Sequence, residues 1–128
     1  FHCRMAHQDM IEILRLRIKD QGLKINGVVH CFTGNVEEMK KYIDLGFYIG
    51  FNGIIFKLPL NDVIKNCPLE NILVETDCPY LVPPQIDIKR NEPIFIKHTA
   101  QKIAELKNIS FHKIAEKTTE NAKKLFNI

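Results

Sequence analysis

Apolar positions along this chain alternate between stripes at helical spacing and short continuous runs, and that alternation predicts its elements. From Ala6 to Lys19, the residues Met10, Ile13, Leu14 and Ile18 form one stripe while Glu12, Arg15 and Lys19 lie off it. That spacing predicts an amphipathic helix, with Gly22 placed to stop it. A strand is expected from Leu23 to His30, running into Cys31-Phe32-Thr33-Gly34. Asn35 then caps a second helix, with Glu38 at the reciprocal capping position and Val36, Met39, Tyr42 and Ile43 as its apolar face. Gly46 closes it. Phe47 to Gly50 reads as a short strand, and Asn61 as the cap of a brief helix to about Cys67. After Pro68, Ile72 to Asp77 is an apolar run ending in two carboxylates, as expected of a buried parallel strand that delivers an acid to the rim of a sheet.

The last third is helical after a break. Pro79, Pro83 and Pro84 bar regular structure between Cys78 and Arg90. Asn91-Glu92-Pro93 opens a helix, since proline suits a first turn, and Phe95, Ile96, Thr99, Ile103 and Leu106 continue it. Ser110 is expected to cap a further helix through Ala115, and a last one to cover Glu120 to Phe126.

Strands alternating with amphipathic helices imply parallel β/α units, either an open doubly wound sheet or a closed TIM-type (β/α)8 barrel. The strand endings favour the barrel. His2, His30 and Asp77 all stand where a strand stops, and barrel enzymes assemble their sites from such positions on several strands. No glycine-rich phosphate loop argues for the open sheet. With about four strands in view, the chain supplies half of an eight-stranded barrel, a single partial domain over residues 1–128. Half a barrel leaves two unpaired edges and an uncovered interior, so a fragment of a longer protein, self-association or pairing with the missing half-barrel is expected.

Composition narrows the class. With 128 residues, 45% of them hydrophobic, the chain fits one globular domain and excludes a disordered one. Its 18 basic and 15 acidic residues are dispersed, which permits a polyanionic partner without demanding one. No signal peptide and no apolar stretch of about 20 residues is present, so no membrane partner is expected. Cys3, Cys31, Cys67 and Cys78 form no C-x-x-C pair. Dispersed cysteines point to reduced thiols and a reducing compartment, with the cytoplasm ahead of the nucleus or an organelle.

Candidate chemistry sits on the strand ends. Two histidines and an aspartate, His2, His30 and Asp77, are plausible ligands for a hydrolytic Zn2+, Mn2+ or Mg2+ ion. The bland alternative makes the histidines hydrogen-bonded core residues and Asp77 a loop cap. Glu75 would lie on the same side of the strand as Asp77, as a second ligand or, more in keeping with how carboxylates are buried, as a partner for Arg4 or Arg90. Arg4 has the forked donors that hold a phosphate, or else pairs with an acid. Tyr80 in the rim loop is placed to stack on a base or to pack. His7, His98 and His112 fall within helices and read as surface or packing residues.

Val29-His30-Cys31-Phe32-Thr33-Gly34, Gly46-Phe47-Tyr48-Ile49-Gly50, Val74-Glu75-Thr76-Asp77-Cys78-Pro79-Tyr80-Leu81 and Arg90-Asn91-Glu92-Pro93, in this order, resemble the TatD family of metal-dependent deoxyribonucleases. Phe1-His2-Cys3-Arg4 and Thr119-Glu120-Asn121-Ala122 resemble the family's preceding histidine strand and its ending. The resemblance implies a metallo-dependent hydrolase barrel that cuts phosphodiester bonds in DNA, with this chain as the C-terminal half, strands five to eight. It implies His2 and His30 as metal ligands, and Asp77 as a metal-associated residue and general base. The ion would be Mg2+ or a similar divalent cation, one or two in number. The chain also departs from the family pattern: it has no H-x-H pair, lacks the upstream bridging glutamate, and is altered from Ile54 to Pro59. Those departures keep a catalytically silent scaffold open as an alternative, and because water activation serves either reaction the metal set also leaves open an amidohydrolase acting on C–N bonds.

Overall fold

The structure, a computed structural model, describes residues 1–22 and 25–128. Three strands, β1 (Gly27–Val29), β2 (Phe47–Phe51) and β3 (Ile72–Val74), form a parallel sheet in that order. Val29, Ile49 and Ile72 are aligned across the sheet and are all fully buried. Burying a side chain of that size is worth about 1.5–3 kcal/mol, so this row fixes which face meets the helices. Successive side chains point to opposite faces. Tyr48, Gly50 and Leu73 therefore lie on the other face, with Gly50 opposite Leu73.

Among the described residues, five α-helices accompany the sheet: α1 (His7–Gln21), α2 (Val36–Asp44), α3 (Asn61–Asn66), α4 (Ile96–Lys107) and α5 (Phe111–Phe126). The expected capping box of α2 is present. Asn35 Oδ1 accepts from Glu38 N at 2.9 Å, and Glu38 Oε2 accepts from Asn35 N at 2.9 Å. Met39 and Tyr42 from this helix join Phe47, Ile49, Ile72, Ile103 and Ile114 in one apolar core. Among the described residues, no helix is long and apolar enough to cross a membrane.

Several expectations are corrected. The first expected strand contributes only an isolated bridge, His2 to His30, so three strands stand where about four were expected. The second begins at Gly27, and Leu23 and Lys24 lie outside the described residues. The fourth, expected from Ile72 to Asp77, stops at Val74 because the chain turns, Asp77 adopting φ 56°. Asn61 is not the cap of α3. Leu60 takes that position with no side-chain bond. In α1, Ile11 is buried whereas Ile13 is 55% exposed, because the inward stripe runs through His7, Ile11, Leu14 and Ile18 at steps of three and four. The two helices expected at the end are one. Ile114, Thr118 and Asn121 form a single buried stripe along α5, and Thr118 Oγ1 donates to Ile114 O at 2.8 Å, so its polar group is satisfied inside the helix.

All four cysteines are free, and Cys3, Cys31 and Cys67 are buried. Burial pushes the Cys67 thiol up to about 12 and also raises that of Cys31. Both are therefore packing residues rather than nucleophiles. Cys78 is exposed.

Candidate functional site

The carboxyl-terminal ends of the strands converge. His30 N donates to Phe1 O at 2.9 Å, Phe32 N to Gly50 O at 3.0 Å and Glu75 N to Phe51 O at 2.9 Å, so ladder bonding continues past each strand and carries His30 and Glu75 onto one rim. Six non-glycine residues among those described have positive φ. Asn108 and Asn127 are helix C-caps. The other four, Met5, Cys31, Asp77 and Leu81, all belong to this rim. A left-handed residue with a Cβ costs about 1–2 kcal/mol, so conformational strain is concentrated where the polar residues meet.

Glu75 organises the rim. One carboxylate oxygen accepts from Cys31 N at 2.6 Å and from Asn52 Nδ2 at 3.3 Å, while the other accepts from His30 Nδ1. A Cβ at Gly50 would lie 3.1 Å from Glu75 Oε1, so the glycine leaves the carboxylate the room it occupies. Asn52 is fully buried, and its Oδ1 also accepts from Ile54 N at 3.0 Å, which ties the loop after β2 to the same acid. Glu75 is thus a holding group, as weighed from sequence, but its partners are His30 and Asn52 and not Arg4 or Arg90. Asn52 carries no such signal in the sequence: an asparagine-glycine pair after a strand marks a turn, not a buried hydrogen-bond network.

His30 Nε2 faces Asp77 Oδ1 at 3.5 Å, both side chains being about one-third exposed. Because Nδ1–H is committed to Glu75, Nε2 and Oδ1 are two acceptors facing one another. Such a pair is satisfied by a cation between them, a proton or a metal ion. A carboxylate behind a histidine is also the usual arrangement that orients a metal-bound imidazole, so the donor set fits a divalent ion. His2 stands beside it, its ring centroid 5.6 Å from that of His30. Among the described residues, no group of three His, Cys, Asp or Glu side chains is close enough to hold an ion by itself.

His2, Arg4, Asn35, Asp77 and Tyr80 line one cleft of about 1280 Å³. Arg4 is exposed and makes no ion pair among the described residues, and Tyr80 is 71% exposed, so neither is taken up by packing. His7 also borders the cleft but is buried against Phe32 and Tyr42, with Nδ1 3.2 Å from Tyr42 Oη. Burial lowers the pKa of His7, outweighing Glu38, and Tyr42's own burial raises that of its hydroxyl. His98 is partly buried in α4, and His112 is exposed on α5.

The family profile described as TatD related DNase matches residues 1–127. A Bacillus subtilis protein named "Uncharacterized metal-dependent hydrolase YabD" is 43% identical, over 99% of this chain and 50% of its own length. An Edwardsiella piscicida protein named "3'-5' ssDNA/RNA exonuclease TatD" is 37% identical, over 99% of this chain and 51% of its own length. Among solved structures, a TatD homologue from Escherichia coli K12 superposes with a TM-score of 0.87 at 28% identity, covering 99% of this chain and 49% of that one. The chain therefore spans about half the length of the relatives it matches. These shares of length do not confirm its expected place in the C-terminal half, and pairing with a missing half-barrel gains no support from them.

Proposed function

Because the chain belongs to the TatD family of related DNases, we propose that its rim serves metal-dependent hydrolysis of phosphodiester bonds in DNA. One observation carries this reading: the imidazole of His30, fixed from behind by Glu75, faces the carboxylate of Asp77 at 3.5 Å. His30 Nε2 and Asp77 would hold a divalent ion, with His2 alongside. When bound, the ion makes water a nucleophile near neutral pH and offsets charge on the phosphoryl oxygens. Glu75 keeps the imidazole in the tautomer whose Nε2 lone pair faces the site. Asp77 Oδ1 accepts the proton that the attacking water gives up. Arg4 orients a phosphate through its paired N–H groups, and Tyr80 offers an exposed ring on which a base stacks.

Mg2+ is the proposed ion, ahead of Zn2+ and Mn2+, on the family resemblance. The order of the motifs supports placement in the C-terminal half of the barrel. An H-x-H pair encoded upstream would agree with it, and its lack would remove that placement. A silent scaffold is favoured by one observation, that no three donors among the described residues suffice for an ion. It predicts neither metal uptake nor cleavage.

The full-length protein, stripped of metal, should leave an end-labelled single-stranded DNA oligonucleotide intact and cleave it when Mg2+ or Mn2+ is restored. Asp77→Asn should lower that rate by about 10²–10⁴-fold without changing the unfolding midpoint. Cleavage by the variant at the parental rate would remove Asp77 from its role. Matching RNA and amide substrates rank the competing chemistries.

A further inference from the structure

Asp77 lies beyond β3 in a loop that no regular element supports, yet its carboxylate is aimed at His30. What holds that loop comes from the far end of the proline-rich segment. Asn91 is 3% exposed, and its Nδ2 lies 2.8 Å from Thr76 O, 2.6 Å from Tyr80 O and 3.3 Å from Leu81 O. Its backbone N–H donates to Pro79 O at 3.0 Å, and its Oδ1 accepts from Glu92 N at 2.9 Å. One side chain therefore ties the residue before Asp77 to residues three and four beyond it. Inside this clasp, Asp77 and Leu81 both sit in the left-handed region, a conformation that persists only when surroundings impose it. On its other side the loop presses on Gly53, where a Cβ would come within 2.1 Å of Leu81 O.

We propose that Asn91 is the positioning residue for Asp77, clasping the Thr76–Leu81 loop so that the carboxylate meets His30. The role rests on the metal-hydrolase reading above, but the geometry it asserts does not. Losing the amide frees three carbonyls and lets the loop leave the left-handed turn, which withdraws Asp77 from the site. A merely structural asparagine would lower stability alone. Asn121 supplies that control: it is 4% exposed and donates to two carbonyls, Leu69 O and Ile72 O, away from the rim.

The test compares Asn91→Ala with Asn121→Ala in the full-length protein, well below their unfolding midpoints. Asn91→Ala should weaken Mn2+ binding in calorimetry, and lower kcat with little change in KM, each by about 10–100-fold. Asn121→Ala should leave both unchanged. Gly53→Ala pushes the same loop from the opposite side and should act in the same direction, which keeps the question answerable if Asn91→Ala does not fold. A readout free of activity is the ¹⁵N shifts of the His30 ring in metal-free protein, which Asn91→Ala should move as Asp77→Asn does. If the parent protein neither binds metal nor cleaves DNA, the functional reading fails and these shifts alone decide the positioning role. Unmoved His30 shifts in Asn91→Ala or, should it not fold, in Gly53→Ala would overturn the proposal. So would equal losses of metal binding in Asn91→Ala and Asn121→Ala.

Discussion

The two ends of β3 are each held by a buried asparagine, and they differ in everything around it. At the start, Asn121 from α5 reaches the carbonyls of Leu69 and Ile72, amid Ile72, Ile103 and Ile114, all fully buried. At the far end, Asn91 reaches Thr76, Tyr80 and Leu81, amid partly exposed carboxylates, an imidazole and left-handed turns. The same amide chemistry closes a regular, apolar junction in one place and imposes a strained, polar loop in the other. The difference teaches where this fold spends stability and where it gains it. Barrel enzymes place chemistry at the carboxyl ends of strands and keep the opposite ends for structure, and the proposed site would give β3 that division along three residues.

A large apolar deletion at the start should break the comparison most strongly. Ile72→Ala removes a fully buried side chain from the central row and should cost about 2–5 kcal/mol, read from urea midpoints. The protein that stays folded should bind metal with parental affinity; a parallel loss of affinity would mean that the two ends are not separable.

The next effect lies at the far end. Glu75→Ala takes away the acceptor for His30 Nδ1, Cys31 N and Asn52 Nδ2. Metal affinity should fall by about 10–100-fold in a chelator competition. Parental affinity would show that His30 keeps its orientation without Glu75.

The smallest effect sharpens the comparison through pH. Burial lowers the pKa of His7, so below about pH 6.5, its ordinary value, the unfolded chain takes up a proton that the folded one resists. Stability is then full above that pH and falls as the solution becomes more acid. In His7→Phe the slope of stability against pH between 5 and 7 should be shallower. An unaltered slope would assign the acid sensitivity to other groups.

Much of the fold was readable from local pattern. The α2 capping box lies within four residues of chain, and α4 declares itself by spacing, because helix signals join near neighbours. Ile11 and Ile13 both suit a helical stripe, and only packing against the core chooses between neighbouring registers. No break follows Ala115: Thr118 and Thr119 have weak helix preference, but α5 runs through them with Thr118 buried. At the site, His30 and Asp77 stood out because each ends a strand-like run, whereas Asn52 and Asn91 resemble ordinary turn residues.

By itself the sequence determined the β/α alternation, the family motifs, and the polar residues at the strand ends that make up the candidate site. Only the tertiary structure decided which of these meet. Glu75 and His30 are 45 residues apart in the chain, and Asn91 clasps carbonyls 10 to 15 residues before it. Propensity and periodicity report on residues within a turn or two of each other, and hydrogen bonds of this reach exist only once the parallel strands and the loop beyond them have been brought into place.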